Sequence, residues 1–293
     1  MAGIGWLRSA VNLGRHNPAA IFGGAALMLA ALFAVVLAMA ALQLMLQPGM
    51  TGMMVLSVAT MVVVLVLVSM LMAGYLRLID AVEHGRPARA RDVFGGFGDT
   101  TGSLRIIGFV LLLALLQNLL LVLMLSVFAG DVVTWYAQTM QSGLAGTQAA
   151  PQAAVLPDGI GIAAALMFVI ILPMYAVQSI GLGQIALRGR GVFGALADGA
   201  AGAVKNVAPL LLFALACVIA VVVLSLGLML VALLVGVLAK LAGAWLAFAL
   251  GIPLYIGLLL AIYVVMFGVM YHLWRDVCGD GDVVELPAGA LTA

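Results

Sequence analysis

Six long, largely apolar runs constrain this chain more than any other feature of its sequence. They cover residues 19–46, 53–78, 104–128, 160–182, 207–238 and 245–272. A helix crosses about 30 Å of hydrocarbon with about 20 residues, because each residue adds about 1.5 Å. Within a bilayer only a helix or a closed barrel satisfies all of its backbone hydrogen bonds. The sequence therefore predicts an all-α integral membrane protein, with six transmembrane helices in one domain over residues 1–293 and a cytoplasmic tail at 273–293.

The composition supports this prediction. Of the 293 residues, 66% are hydrophobic and only 8% are charged, and the mean hydropathy is +1.30. Soluble domains contain about 25% charged residues. A water-soluble fold is therefore excluded, because so few charges could not cover its surface.

The basic residues predict the orientation. Eleven of the twelve lie on one side of the predicted spans, and only Lys240 lies on the other. Loops rich in Lys and Arg stay in the cytoplasm, so both termini are predicted to be cytoplasmic. The outer segment 129–158 has no basic residue. Its Ala, Gly and Gln content predicts a flexible loop, with Trp135 and Tyr136 anchored at the lipid–water boundary.

Three short cytoplasmic segments with a common pattern precede the outgoing helices. Each has a small, weakly amphipathic stretch, a basic residue (Arg15, Arg105 or Lys205) and then an apolar run, and a Val-Phe-Gly motif recurs at 93–95 and 192–194. This pattern predicts three helical hairpins, each preceded by a short interfacial helix. The alternative is that three hairpins of the same topology share these features without being true repeats.

The short segments are suited to the membrane surface. In the first segment Ile4, Leu7 and Val11 recur at helical spacing, with Trp6 beside them. Such a helix can lie in the headgroup layer. The basic residues of the three segments are candidate contacts to lipid phosphates, at about 1 kcal/mol each. Alternatively, they only set the topology. We expect membrane lipids, and no nucleic acid, as partners.

The polar residues deep in the predicted spans are neutral, which disfavours transport coupled to protons or sodium. Gln117, Asn118, Gln178 and Ser179 are candidates to line a cavity, because Pro173 can kink the helix next to Gln178. Neutral polar groups in membranes also bond across helices. Both interpretations stay open.

Small residues at four-residue spacing allow helices to approach closely. Gly243, Ala247 and Gly251 have this spacing and predict a packing ridge, within the bundle or against a partner subunit.

One cluster of ionisable residues raises the possibility of a metal site. Asp80, Glu83 and His84 fall on one helical face. We interpret them as a solvated helix end with local ion pairs, because the sequence supplies no further ligand. We also find no nucleophile–base pair, phosphate-binding loop or redox motif, and Cys217 and Cys278 are far apart. We therefore expect no enzymatic activity, no cofactor and no bound metal.

The run GYLRLIDAVEHGRPARARDVFGGF, residues 74–97, and the Ala-Val-Lys-Asn stretch at 203–206 resemble the signature of a family of uncharacterised bacterial inner-membrane proteins with six helices. That family is similar in layout to the membrane domain of some glycerophosphodiester phosphodiesterases. The resemblance implies a bacterial inner-membrane location and no established activity.

The leading hypothesis from the sequence is a non-enzymatic inner-membrane protein that supports envelope or lipid organisation. The alternative is a transporter or channel for a small neutral or amphiphilic solute. It is motivated by Gln117, Asn118 and Gln178 together with the two prolines within predicted spans, Pro173 and Pro253.

Overall fold

The protein is described by a computed structural model that covers residues 2–47, 49–144 and 157–279. The α-helices in these ranges are α1 (Ala2–Val11), α2 (Pro18–Leu46), α3 (Met50–Glu83), α4 (Thr100–Phe128), α5 (Gly130–Leu144), α6 (Ile160–Arg188), α7 (Val192–Lys205), α8 (Val207–Ala242) and α9 (Ala244–Cys278). Two 3₁₀ helices are present in the same ranges, Leu13–Arg15 and Ala90–Phe97.

The prediction of six spanning helices is confirmed. Among the described residues, α2, α3, α4, α6, α8 and α9 are long and apolar enough to cross a membrane. Four of them continue past their predicted ends, α3 to Glu83, α6 to Arg188, α8 to Ala242 and α9 to Cys278. Residues 273–278, predicted to begin the tail, are therefore helical, and residues 280–293 lie outside the described part.

Each helix that continues past its predicted end is followed closely by a glycine with a positive φ. Gly189 (φ 65°), Gly243 (φ 100°) and Gly279 (φ 72°) directly follow α6, α8 and α9. Gly85 (φ 65°) follows α3 after His84. Glycine adopts this conformation without a steric penalty, which makes it the usual helix terminator. The helices therefore extend beyond their apolar runs until a glycine ends them.

A short helix precedes each outgoing spanning helix, as predicted: α1 before α2, the 3₁₀ helix Ala90–Phe97 before α4, and α7 before α8. The hairpins that follow are α2–α3, α4–α6 and α8–α9. The short helices also pack on the hairpins. Ala90–Phe97 contacts α2 and α3, and α1 contacts α8 and α9.

Glycines allow these close contacts. A Cβ at Gly96 would clash with the carbonyl oxygen of Met70 in α3, and a Cβ at Gly3 would clash with that of Pro209 in α8. In α7, a Cβ at Gly199 would lie 2.8 Å from the carbonyl oxygen of Val177 in α6. Ala90–Phe97 and α7 thus each pack closely on the hairpin that precedes them in the chain. Helix α1 comes first in the chain but packs on the last hairpin, so the contacts follow a cyclic order.

Arg77 fixes the junction of α3, α4 and α6. Its Nε donates to the carbonyl oxygen of Ala186 at 2.9 Å, and its Nη2 pairs with Asp99 Oδ2 at 3.2 Å. Asp99 also accepts from the backbone N–H of Gly102 at 2.9 Å, in the first turn of α4. The hydrogen bond from the Gly102 N–H lowers the pKa of Asp99 below its ordinary value, and the Arg77 side chain lowers it further.

Contacts divide the chain into two units, the first comprising residues 1–110 and 176–293 and the second Leu111–Tyr175. The second unit contains the latter part of α4, α5 and the first part of α6. The prediction of a flexible loop is wrong over Gly130–Leu144, which forms helix α5. Ala and Gln favour helix, and no proline interrupts this stretch. Residues 145–156 of the predicted loop lie outside the described part.

The predicted packing ridge lies at the start of α9, and the described residues show no close packing at Gly251. Gly243 lies at the turn between α8 and α9, with φ 100°. Ala247 and Gly251 border an apolar groove of about 430 Å³ between these two helices. A Cβ at Gly251 would meet no described atom within 4 Å.

Candidate functional site

Helix α1 is held against α8 and α9 by one face of small and aromatic residues. Gly3, Trp6 and Ala10 recur at helical spacing and are buried, and the Trp6 ring packs on Phe213 of α8 with centroids 6.5 Å apart. In α9, Gly268 lies against Ala10. This packing places α1 across the end of α9.

The apolar face predicted for α1 is a different one. Ile4 and Val11 are 47% and 65% exposed. The helix therefore presents a protein-facing side formed by Gly3, Trp6 and Ala10, and a second apolar side that protein does not cover.

Polar contacts connect α1, α3 and α9 at the same end of the bundle. The Trp6 indole Nε1 donates to Asp276 Oδ2 at 2.9 Å. Arg275 Nη1 pairs with Glu83 Oε2 at 3.5 Å. These bonds join residues about 190 and 270 positions apart in the sequence, a closeness that no local pattern predicts.

A recess of about 800 Å³ lies between α1, the 3₁₀ helix Leu13–Arg15 and the ends of α3 and α9. Its charged lining residues are Arg8, Arg15, Glu83, Arg275 and Asp276. Its other polar lining residues include Ser9, Asn12, His16 and His272. The recess has the size of a small-molecule site, and most of its polar groups come from α1 and α9.

The charges of the recess are only partly paired within the protein. Arg275 and Glu83 pair with each other. Arg8 and Arg15 are exposed and form no salt bridge with a described carboxylate. Asp276 accepts from Trp6 but pairs with no basic residue in the described part of the chain. Among the described residues, the recess thus has two arginines without a salt bridge and one carboxylate without a cationic partner.

The predicted ion pairs at the end of α3 are present. Asp80 pairs with Arg86, accepts from the Tyr271 hydroxyl at 3.0 Å, and lies 3.3 Å from His84 Nδ1. Glu83 pairs with Arg275 rather than joining this cluster. Within residues 2–47, 49–144 and 157–279, no group of three His, Cys, Asp or Glu side chains could hold a metal ion.

The candidate cavity residues belong to different units. Gln117 and Asn118 lie in the second unit, where Asn118 Nδ2 donates to the carbonyl oxygen of Ala114 at 2.8 Å. Gln178 and Ser179 lie in the first unit, and Ser179 is buried. The prediction that they line one cavity stays a prediction.

The three basic residues predicted to contact headgroups are all exposed, but their surroundings differ. Arg15 lines the recess. Arg105 Nη1 donates to the carbonyl oxygen of Gly189 at 2.7 Å, so this side chain also links α4 to the end of α6. Lys205 lies at the end of α7.

The sequence did not indicate Arg8, Glu83, Arg275 and Asp276 as a group. The available signal was the combination of Trp6 and Arg8 on a short helix, which points to an interface with a polar edge.

No protein-family model, curated protein or solved structure matches this chain, so its resemblance to the six-helix inner-membrane family stays a prediction.

Proposed function

We propose that this integral membrane protein is a non-enzymatic binder of phospholipid headgroups on the cytoplasmic side of the bacterial inner membrane. The recess beside α1 is the main binding site. The observation that carries the proposal is the presence of two exposed arginines, Arg8 and Arg15, that line this recess without a described carboxylate partner.

The position of the recess supports a lipid ligand. The recess lies beside Glu83, the last residue of α3, and Arg275 in the last turn of α9. This is the end at which nearly all of the basic residues lie, and a phospholipid phosphate sits at the same level of a bilayer. Arginine binds phosphate through paired N–H donors, so Arg8 and Arg15 suit a headgroup phosphate.

The exposed side of α1 supports the same ligand class. Ile4 and Val11 are uncovered on the helix that carries Arg8. A helix with uncovered apolar residues and cationic side chains lies in the headgroup layer. A soluble anion would use the arginines but would gain nothing from these apolar residues.

Lipid binding by arginine variants tests the proposal. Native mass spectrometry of the protein titrated with phosphatidylglycerol and phosphatidylethanolamine gives the occupancy of each lipid. At about 1 kcal/mol for each basic contact, the Arg8→Gln/Arg15→Gln double variant binds roughly 10- to 30-fold more weakly.

A matched control removes two positive charges elsewhere. Arg91 and Lys240 are exposed and form no salt bridge with a described residue. The Arg91→Gln/Lys240→Gln double variant has the same net charge as the recess variant and retains wild-type lipid binding. Equal loss in both double variants would mean general electrostatic attraction and would reject the recess as the site.

A further inference from the structure

We propose that the recess selects a headgroup carrying a primary ammonium as well as a phosphate, as in phosphatidylethanolamine. This inference rests on the proposed function and names the ligand class of the same site. It follows from the charges of both signs that line the recess and that have no ion-pair partner among the described residues.

The cationic part of the site suits the phosphate. Arg8 and Ser9 are adjacent on α1, both are exposed, and both line the recess with Arg15. Arg275 also lines it, but its charge is balanced by Glu83 at 3.5 Å. The positive charge available to a ligand therefore comes from Arg8 and Arg15.

The acidic part of the site suits an ammonium. Asp276 Oδ2 accepts from Trp6 Nε1 at 2.9 Å, which fixes the orientation of the carboxylate. Its Oδ1 has no described hydrogen-bond donor. A ligand bearing only negative charge would face this carboxylate without compensation, whereas an ammonium neutralises it.

The ammonium must carry N–H groups. A quaternary ammonium is recognised mainly by exposed aromatic faces, but Trp6 is only 3% exposed and packs on Phe213. A primary ammonium can instead donate a hydrogen bond to Asp276. The recess is therefore suited to an ethanolamine headgroup better than to a choline or glycerol headgroup.

Competition among lipids with identical acyl chains tests this selectivity. In native mass spectrometry the wild-type protein prefers phosphatidylethanolamine to phosphatidylglycerol and to phosphatidylcholine by about fivefold or more, the ratio for one charge-assisted contact. The Asp276→Asn variant loses this preference. The amide still has an oxygen that can accept from Trp6, so the position of α1 is retained.

Asp131→Asn is the matched control. Asp131 is exposed in the first turn of α5, in the second unit. The control removes one negative charge outside the recess and retains the wild-type lipid preference. Thermal unfolding of both variants confirms that they are folded.

The outcomes separate this inference from the proposed function. If all three lipids bind equally but still depend on Arg8 and Arg15, headgroup binding stands and selection of an ammonium is overturned. If no lipid depends on those arginines, the proposed function itself fails. If soluble phosphoethanolamine or inorganic phosphate binds as tightly as the lipid, the ligand is a free solute, and a lipid ligand is overturned.

Discussion

Replacing Gly268 with alanine tests how closely α1 packs on α9. A Cβ at this position would lie 2.9 Å from both Cα and Cβ of Ala10, and 3.3 Å from Leu13 Cδ2. Carbon atoms that are not bonded approach to about 3.5–4.0 Å, so α1 must move by roughly 0.6 Å or more. Overpacking of this kind costs about 1–3 kcal/mol.

Gly257 in the same helix provides the matched control. A Cβ there would meet no described atom within 4 Å. Both substitutions change the intrinsic helix propensity equally, so the difference between the two variants isolates the contact with α1. The Gly268→Ala variant should be less stable than Gly257→Ala by about 1–3 kcal/mol.

The assay is thermal unfolding of detergent-solubilised protein, followed by tryptophan fluorescence and by recovery of monodisperse protein. For a chain of this length the difference corresponds to an apparent midpoint lower by roughly 2–8 °C. Lipid binding should weaken in parallel, because α1 carries Arg8 into the recess. Identical midpoints for the two alanine variants would refute the close packing of α1 on α9.

Two further substitutions test contacts within the first unit. The buried Tyr75 hydroxyl donates to the carbonyl oxygen of Ile21 at 3.0 Å, so Tyr75→Phe should lower stability by about 1 kcal/mol, and an unchanged unfolding midpoint would contradict this bond. Asp99 has a lowered pKa because of the Gly102 N–H and Arg77, so its ionised form contributes stability above its unfolded pKa and loses it as the pH falls through its folded pKa. Asp99→Asn should therefore be less stable than wild type at pH 7, and the difference should shrink as the pH falls below about 4; a difference independent of pH would exclude this contribution.

The spanning helices could be predicted because the bilayer imposes a length and an apolar composition that are visible in any 20-residue window. The short helices before α2, α4 and α8 could be predicted from their repeated pattern. The apolar runs predict ends for α3, α6, α8 and α9 that are too early. Apolarity stops at the membrane surface, whereas each helix continues until one or two residues before a glycine, Gly85, Gly189, Gly243 or Gly279.

Helix α5 was missed for a different reason. Its residues, including Trp135 and Tyr136, lie in a segment that is too polar to span a membrane. Composition alone predicts a loop for such a segment. The run of helix-favouring residues Ala137, Gln138, Met140 and Gln141 is the signal that indicates a helix here.

The recess could not be predicted from the sequence. Trp6 and Asp276 are 270 positions apart, and Glu83 and Arg275 are 192 positions apart. Their closeness depends on α1 packing against α9, and that packing depends on the space left by Gly3 and Gly268. Individual side chains were visible in the sequence, but their grouping is a property of the tertiary fold.

The cyclic order of contacts has a consequence for biosynthesis. Helix α1 precedes the six described spanning helices in the chain and is therefore translated before them, yet its partners α8 and α9 are the last two of the six. Until they are made, Trp6 has neither Phe213 nor Asp276 as a neighbour, so this face of α1 lacks both of these contacts. The recess, which α9 lines with Arg275 and Asp276, therefore forms only when the third hairpin has been made, and a chain interrupted before that point has neither its acidic wall nor its binding site.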